Sequence, residues 1–251
     1  MLVFAAWMGP AWVSRASAQV NTEALRSKLM EKGLQGTFNG SLTSYRGNTL
    51  GLELGASGLL AWQSAPHLVL LSGAANYSHL GGEVQVANAF AHSRYSYAVL
   101  ERVAVEVFAQ GESDRFRRLR LRTLLGVGPR LSLFDGEFVG LFYGISYMYE
   151  HNALADSFAP VRPADVHRFS NYASAVFVLE PKRATISNTV YAQPRLDDFR
   201  DLRLLDIFSL DATVTGRLST GLHATLRYEN PVRSPIKRAD LMIKNTLGVV
   251  F

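Results

Sequence analysis

Residues 103–112 read Val-Ala-Val-Glu-Val-Phe-Ala-Gln-Gly-Glu, and residues 117–134 read Arg-Arg-Leu-Arg-Leu-Arg-Thr-Leu-Leu-Gly-Val-Gly-Pro-Arg-Leu-Ser-Leu-Phe. Both alternate with period two. In the first, Val103, Val105, Val107 and Ala109 oppose Glu106, Gln110 and Glu112. In the second, Leu119, Leu121, Leu125, Val127, Leu131 and Leu133 oppose Arg118, Arg120, Arg122 and Arg130. Successive side chains of a strand point to opposite faces, so each segment has one apolar and one charged face. Four residues separate them, enough for a hairpin. Glutamates of one strand then face arginines of the next.

The same alternation extends outward in both directions. Leu50, Leu52, Leu54, Ala56, Leu60 and Trp62 share a face; so do Phe208, Leu210, Ala212 and Val214, then Leu222, Ala224, Leu226 and Tyr228. About twelve such segments are expected, at 33–45, 49–62, 67–78, 87–99, 103–112, 117–134, 138–150, 167–180, 184–193, 203–218, 221–229 and 241–251, each long enough to cross a bilayer as a tilted strand. Connections after even-numbered segments are short, as at 135–137. Most after odd-numbered segments are longer and polar, as at 79–86, 151–166, 194–202 and 230–240. Outer-membrane barrels have this asymmetry. The expected fold is therefore all-β: a transmembrane antiparallel up-and-down β-barrel of about 12 strands, with short periplasmic turns and longer extracellular loops. A soluble sandwich alternates alike, but lacks the loop asymmetry.

The termini agree. Residues 1–13 are apolar, and Ala16-Ser17-Ala18 has the small-x-small form of a secretory cleavage site, so residues 1–18 are expected to be a cleaved signal peptide. Residues 19–32 are a short periplasmic segment in which Asn21 or Thr22 can cap a helix. Residues 33–251 are the barrel. The chain ends on an alternating segment closed by Phe251, which resembles the C-terminal signal that outer-membrane proteins present to the barrel assembly machinery.

The 251 residues include no cysteine, which excludes disulfides, thiolate nucleophiles and zinc–cysteine sites. The chain carries 26 Lys+Arg against 21 Asp+Glu. That basic excess is spread over strands rather than clustered, so nucleic acid is not an expected partner. Glu106, Glu112, Arg120 and Arg122 are expected to form a ladder in the lumen, extended by Glu53, Arg94, Arg130, Glu150 and Glu180. Unpaired charge is costly away from bulk water, so these groups should pair. The ladder is read either as a network that fills and shapes the barrel or as a constriction that selects solutes. Inward Phe90, Phe108, Phe134, Phe138, Phe142 and Met148 favour a blocked lumen. Inward Gly51, Gly55, Ser57, Gly126, Gly128, Gly140 and Gly144 favour space.

Asn21-Thr22-Glu23, Gly47-Asn48, Ser93-Arg94-Tyr95-Ser96-Tyr97 and the spaced set Glu106, Phe108, Gln110, Glu112, Phe116, Arg122, Gly126, Gly128 and Arg130 resemble the salt-induced outer membrane protein family, domain-of-unknown-function family 481. The resemblance implies an outer-membrane location in a Gram-negative bacterium. It implies no activity, substrate or catalytic residue.

No catalytic, metal or cofactor site is expected. His92 and Ser93 are adjacent and point to opposite faces, and no serine is evident beside His223. Asp197, Asp198 and Asp201 are more readily a solvated loop than a cation site. Arg195, Arg200, Arg233, Lys237 and Arg238 suit lipopolysaccharide phosphates. Outer-membrane lipid and lipopolysaccharide are the expected surroundings. The expected function is a narrow channel for ions or small solutes. The alternatives are a closed envelope-maintenance barrel presenting loops to a partner and, remotely, a lipid hydrolase.

Overall fold

A computed structural model describes residues 33–47, 50–115, 119–154, 164–179, 183–215, 218–231 and 237–249. They form β1 (Gly33–Tyr45), β2 (Gly51–Ser64), β3 (His67–Leu80), β4 (Glu83–Leu100), β5 (Val103–Asp114), β6 (Leu119–Asp135), β7 (Val139–Leu154), β8 (Asp165–Leu179), β9 (Ala184–Pro194), β10 (Leu202–Thr215), β11 (Leu218–Asn230) and β12 (Ala239–Val249). Each strand pairs antiparallel with its sequence neighbours in a single 12-stranded sheet, so the up-and-down order read from the alternation is the observed one. Among the described residues no ladder joins β12 to β1. The expected signal peptide, the 19–32 segment, Glu180 and Phe251 lie outside the described residues.

The sheet curls about its charged face. Arg122 on β6 and Glu229 on β11 are five strands apart, yet Nη1 and Oε1 lie 3.8 Å from each other. In a flat sheet the spacing of about 4.8 Å per strand would put those backbones about 24 Å apart. The concave side therefore carries the charge, and the convex side carries the apolar residues. Along β5, Glu106, Gln110 and Glu112 are buried, while Val105 and Val107 are 40% and 48% exposed. The same inversion runs through Leu54, Trp62, Leu71, Leu125 and Leu226, all exposed. A water-soluble domain buries such a face.

One expected long loop is absent. Residues 79–86, read as a loop, are instead the ends of β3 and β4 joined at Gly81 and Gly82 (φ +61° and +87°). Both positive φ values suit the two-residue hairpin turn whose twist matches its strands, and glycine adopts them without steric cost. The polar run there is paired backbone rather than free chain.

Candidate functional site in the charged interior

Among the described residues the interior holds two charged clusters. The larger lies near the 195–201 loop. At its centre is Glu150 of β7, fully buried. It accepts from Arg168 Nε of β8 at 2.7 Å and from Arg203 of β10 through both Nη1 and Nη2, the latter at 2.7 Å. Asn152 also donates to it, and Arg122 Nε, 3.8 Å away, donates to Asn152 at 2.9 Å. Arg122 sits directly across from Glu112 in the β5–β6 register and 3.5 Å from its carboxylate. Glu229 of β11 lies 3.8 Å from both Arg122 and Arg203. Arg168 turns its other edge to Asp201 (2.9 Å) and to the carbonyls of Gln193 and Asp201. Each acid thus meets at least one guanidinium, the arrangement under which buried charge is tolerated.

The second cluster is further along the same face. Glu106 accepts from Arg94 Nη1 at 2.6 Å, from Ser96 at 2.9 Å and from Tyr172 of β8 at 3.3 Å. The Arg94 guanidinium also stacks 5.1 Å from the Phe108 ring centre. Phe108, Leu124 and Met148 form an apolar layer beside it. Only about 20 Å³ is left open among Arg94, Glu106, Phe108, Tyr172 and Tyr191.

The expected ladder is partly as drawn. Glu112–Arg122 pair as the register required, and Arg94, Glu106 and Glu150 are all inside. Glu106, however, faces Gly128 on β6 and takes its cation from β4. Glu53 is buried but bonds neutral hydroxyls, Tyr45 at 3.2 Å and Ser78 at 3.4 Å. Arg130 lies 4.3 Å over the Phe142 ring, near the 136–138 turn.

Arg120 is a correction: it is exposed and not in the lumen. The register slips where Glu112 pairs Arg122 but Asp114 pairs Leu119, and again between Leu119 and Leu121 on the β7 side. One extra residue in the strand reverses the phase, so Leu119 turns inward, 3% exposed, and Arg120 outward.

The inward glycines are a second correction. Gly126 and Gly144 do not leave space. A Cβ on Gly126 would lie 2.2 Å from the Phe108 ring, and one on Gly144 would lie 2.0 Å from the Tyr172 ring. Each ring belongs to the residue directly opposite in the adjacent strand, so glycine is the seat on which an aromatic lies. Phe134 and Phe138, expected to block the lumen, are each 54% exposed where β6 bulges toward its turn.

Arg168, Arg203, Asp201 and Tyr172 were missed as site residues. Alternation alone puts Arg168 and Tyr172 on the inner face of β8. Asp201 is a loop carboxylate that the sequence places in solvent, yet it is 1% exposed. Arg195 lies within ion-pair distance of Asp197, Asp198 and Asp201 (2.6, 3.7 and 3.5 Å), so these aspartates are already partnered by a cation. No metal-binding group of His, Asp and Glu occurs among the described residues.

His223 does have a serine beside it. Ser209 stands directly across in the β10–β11 register, with Oγ 3.2 Å from Nδ1, and Asp211 lies 3.6 Å from Nε2. The residue types are those of a nucleophilic triad. β10 and β11 are each paired on both sides. Their backbone N–H groups serve the ladders and do not converge as an oxyanion hole, usually the largest catalytic term. His92 and Ser93 do face opposite ways, His92 inward to Gln110 (3.1 Å) and Ser93 to the Ala109 carbonyl on the other side.

Comparison with known proteins gives one family. Its model, described as "Protein of unknown function, DUF481", matches residues 40–251. No curated protein matches the chain significantly. A solved structure described as a bacterial polysaccharide outer membrane secretin is similar at 11% identity, with a TM-score of 0.48, over 87% of this chain and 90% of that one.

Proposed function

The chain belongs to the DUF481 family, and we propose that it is an outer-membrane β-barrel with a narrow passage for ions or small polar solutes. One observation carries the membrane reading: the exposed face of the sheet is apolar and the buried face is charged. Lipid is the surrounding that makes this distribution favourable, since a strand in hydrocarbon alternates apolar-out and polar-in. Closure of β1 onto β12 follows from the same reading, because an open sheet edge in hydrocarbon leaves backbone groups without partners.

The passage runs along the inner faces of β1–β3, β11 and β12, not through the ion-pair clusters. Around β4–β10 the interior is filled by paired charge and by rings seated on glycines. On β2 and β3 the inward residues include Gly55, Ser57, Ser72 and Ala74, all small. Eight strands leave an interior just filled by side chains, and sixteen leave an aqueous channel. Twelve strands with one packed side fall between. The test is conductance of the refolded protein in a planar bilayer. Discrete steps, reduced when Ser57→Trp narrows the small-residue side, support the passage. A folded protein that stays silent makes the barrel closed, the second reading, which the sealed packing beside Glu106 favours.

A further inference from the structure

Across β2 to β6, one row of the inner face has no carboxylate, guanidinium or ammonium. The register sets Leu59, Ser72, His92, Gln110 and Leu124 side by side there. His92 and Gln110 are 5% and 3% exposed. They hold each other, with His92 Nδ1 lying 3.1 Å from Gln110 Oε1. Phe108 stacks on the imidazole, 6.0 Å between ring centres and 23° between planes. That bond and that ring fix how the imidazole is turned. Three polar atoms of the row, Ser72 Oγ, His92 Nε2 and Gln110 Nε2, are shut from solvent and have no hydrogen-bond partner among the described residues. A buried polar atom left in that state is costly, and most are paired. Here the three stand on adjacent strands. The charged groups to either side are engaged with each other: Glu112 lies 3.5 Å from Arg122, and Arg94 holds Glu106.

We propose that this row binds an uncharged polyhydroxyl solute. The inference rests on the passage reading above, which gives the solute its access: Ser72 belongs to the small-residue side, and His92 and Gln110 form its border with the packed side. The hydrogen-bond count selects the ligand, whichever tautomer His92 adopts. A neutral imidazole has one N–H and one lone pair, and an amide has one carbonyl and one NH2. Their mutual bond uses one donor and one acceptor, so one of each is left over. Ser72 supplies either. A hydroxyl group both donates and accepts, and so completes the set. A cation would meet the remaining N–H and an anion the remaining lone pair, and neither finds a counter-charge in the row. Ser72 and Gln110 stand two strands apart, about 10 Å between backbones. Adjacent hydroxyls on one molecule span that row, whereas a single water reaches part of it.

The experiment uses the mature protein, carrying isotope-labelled histidine and refolded in detergent. It is titrated with xylitol, with sodium chloride, and with glycine betaine, which accepts hydrogen bonds but donates none. The His92 ring nitrogen resonances, assigned by their loss in His92→Phe, read binding. Swelling of protein-containing vesicles in the same solutes reads passage. Xylitol should shift the His92 Nε2 resonance saturably, and betaine and salt should not. Ser72→Ala should weaken the binding roughly threefold to tenfold, the scale of one neutral hydrogen bond. Gln110→Met should abolish it. Gel migration before and after boiling follows folding of each variant; Ser72→Ala, which removes only a hydroxyl, decides where Gln110→Met does not fold. A folded barrel whose His92 resonances ignore xylitol overturns the proposal. So does an equal shift with betaine or salt, or unchanged binding in Ser72→Ala. Swelling or conductance without a xylitol shift overturns the site and leaves the passage reading standing. A specific shift without swelling or conductance supports the site and overturns the passage reading.

Discussion

The inner faces of β7 and β8 and those of β2 and β3 are built by the same alternation and end up in opposite conditions. On β7 and β8, Met148, Glu150 and Arg168 are fully buried, and Tyr172 lies across Gly144. On β2 and β3, Gly55, Ser57, Ser72 and Ala74 are only half-buried. Alternation sets which way a side chain points. Whether the interior is then full depends on side-chain length and on what the curled sheet brings across from other strands. Long arginines from β6, β8 and β10 reach one glutamate on β7. The carboxylate on β2, Glu53, takes two hydroxyls instead.

Five substitutions test that contrast, and the first should have the largest effect. Glu150→Ala leaves three guanidinium groups without their shared partner. It should lower unfolding free energy in lipid by about 3–5 kcal/mol, the cost of breaking a buried ion pair. Glu53→Ala removes only hydroxyl contacts and should cost about 1 kcal/mol. Urea unfolding in vesicles compares them, and equal shifts would erase the distinction between the two sides.

Next in size is Gly144→Val, which pushes against the Tyr172 ring. It should cost about 1–3 kcal/mol by overpacking. Gly55→Val meets the Ser41 hydroxyl, 2.5 Å from an added Cβ, and that side chain can rotate away, while Asn76 Oδ1 at 3.5 Å is in ordinary contact. A smaller loss at Gly55 than at Gly144, measured as a shift in Tm, sharpens the comparison; the reverse order breaks it.

The smallest effect should come from Arg120→Ala. As an exposed residue at a bulge it should change stability by no more than about 0.5 kcal/mol. A loss comparable to that of Glu150→Ala would return Arg120 to the interior network.

The strands themselves were legible because period two needs no tertiary information. From Val103 to Glu112 the expected and observed faces agree at every named residue. What lay beyond reading was of two kinds. The bulge before Leu121 adds one residue to a run of alternating Leu and Arg, and nothing in that run marks where the phase breaks. The union of Arg203 with Glu150 joins β10 to β7, and it depends on how tightly the sheet curls, which no single strand encodes. Asp201 was misplaced for a related reason. It lies in a loop by sequence but folds under Arg168 and Arg195, so its polarity suggested solvent where the structure has an ion pair.

Phe108 on Gly126 and Tyr172 on Gly144 also solve a counting problem. A strand that slips by one residue exchanges its faces, and the apolar pattern forbids it. A slip by two keeps every side chain on its proper face, so alternation is blind to it. The seated rings are not. Moving β5 by two against β6 would set Phe108 opposite Leu124 or Gly128, and moving β8 against β7 would set Tyr172 opposite Phe142 or Ser146. At Leu124 and Phe142 a side chain occupies the ring's place, and at Ser146 a hydroxymethyl group does. At Gly128 an added Cβ would lie 1.9 Å from the Ile145 carbonyl oxygen, so the neighbouring backbone already crowds that position. In a chain whose strands otherwise resemble one another, two such marks tell adjacent strands where to stop as the sheet assembles.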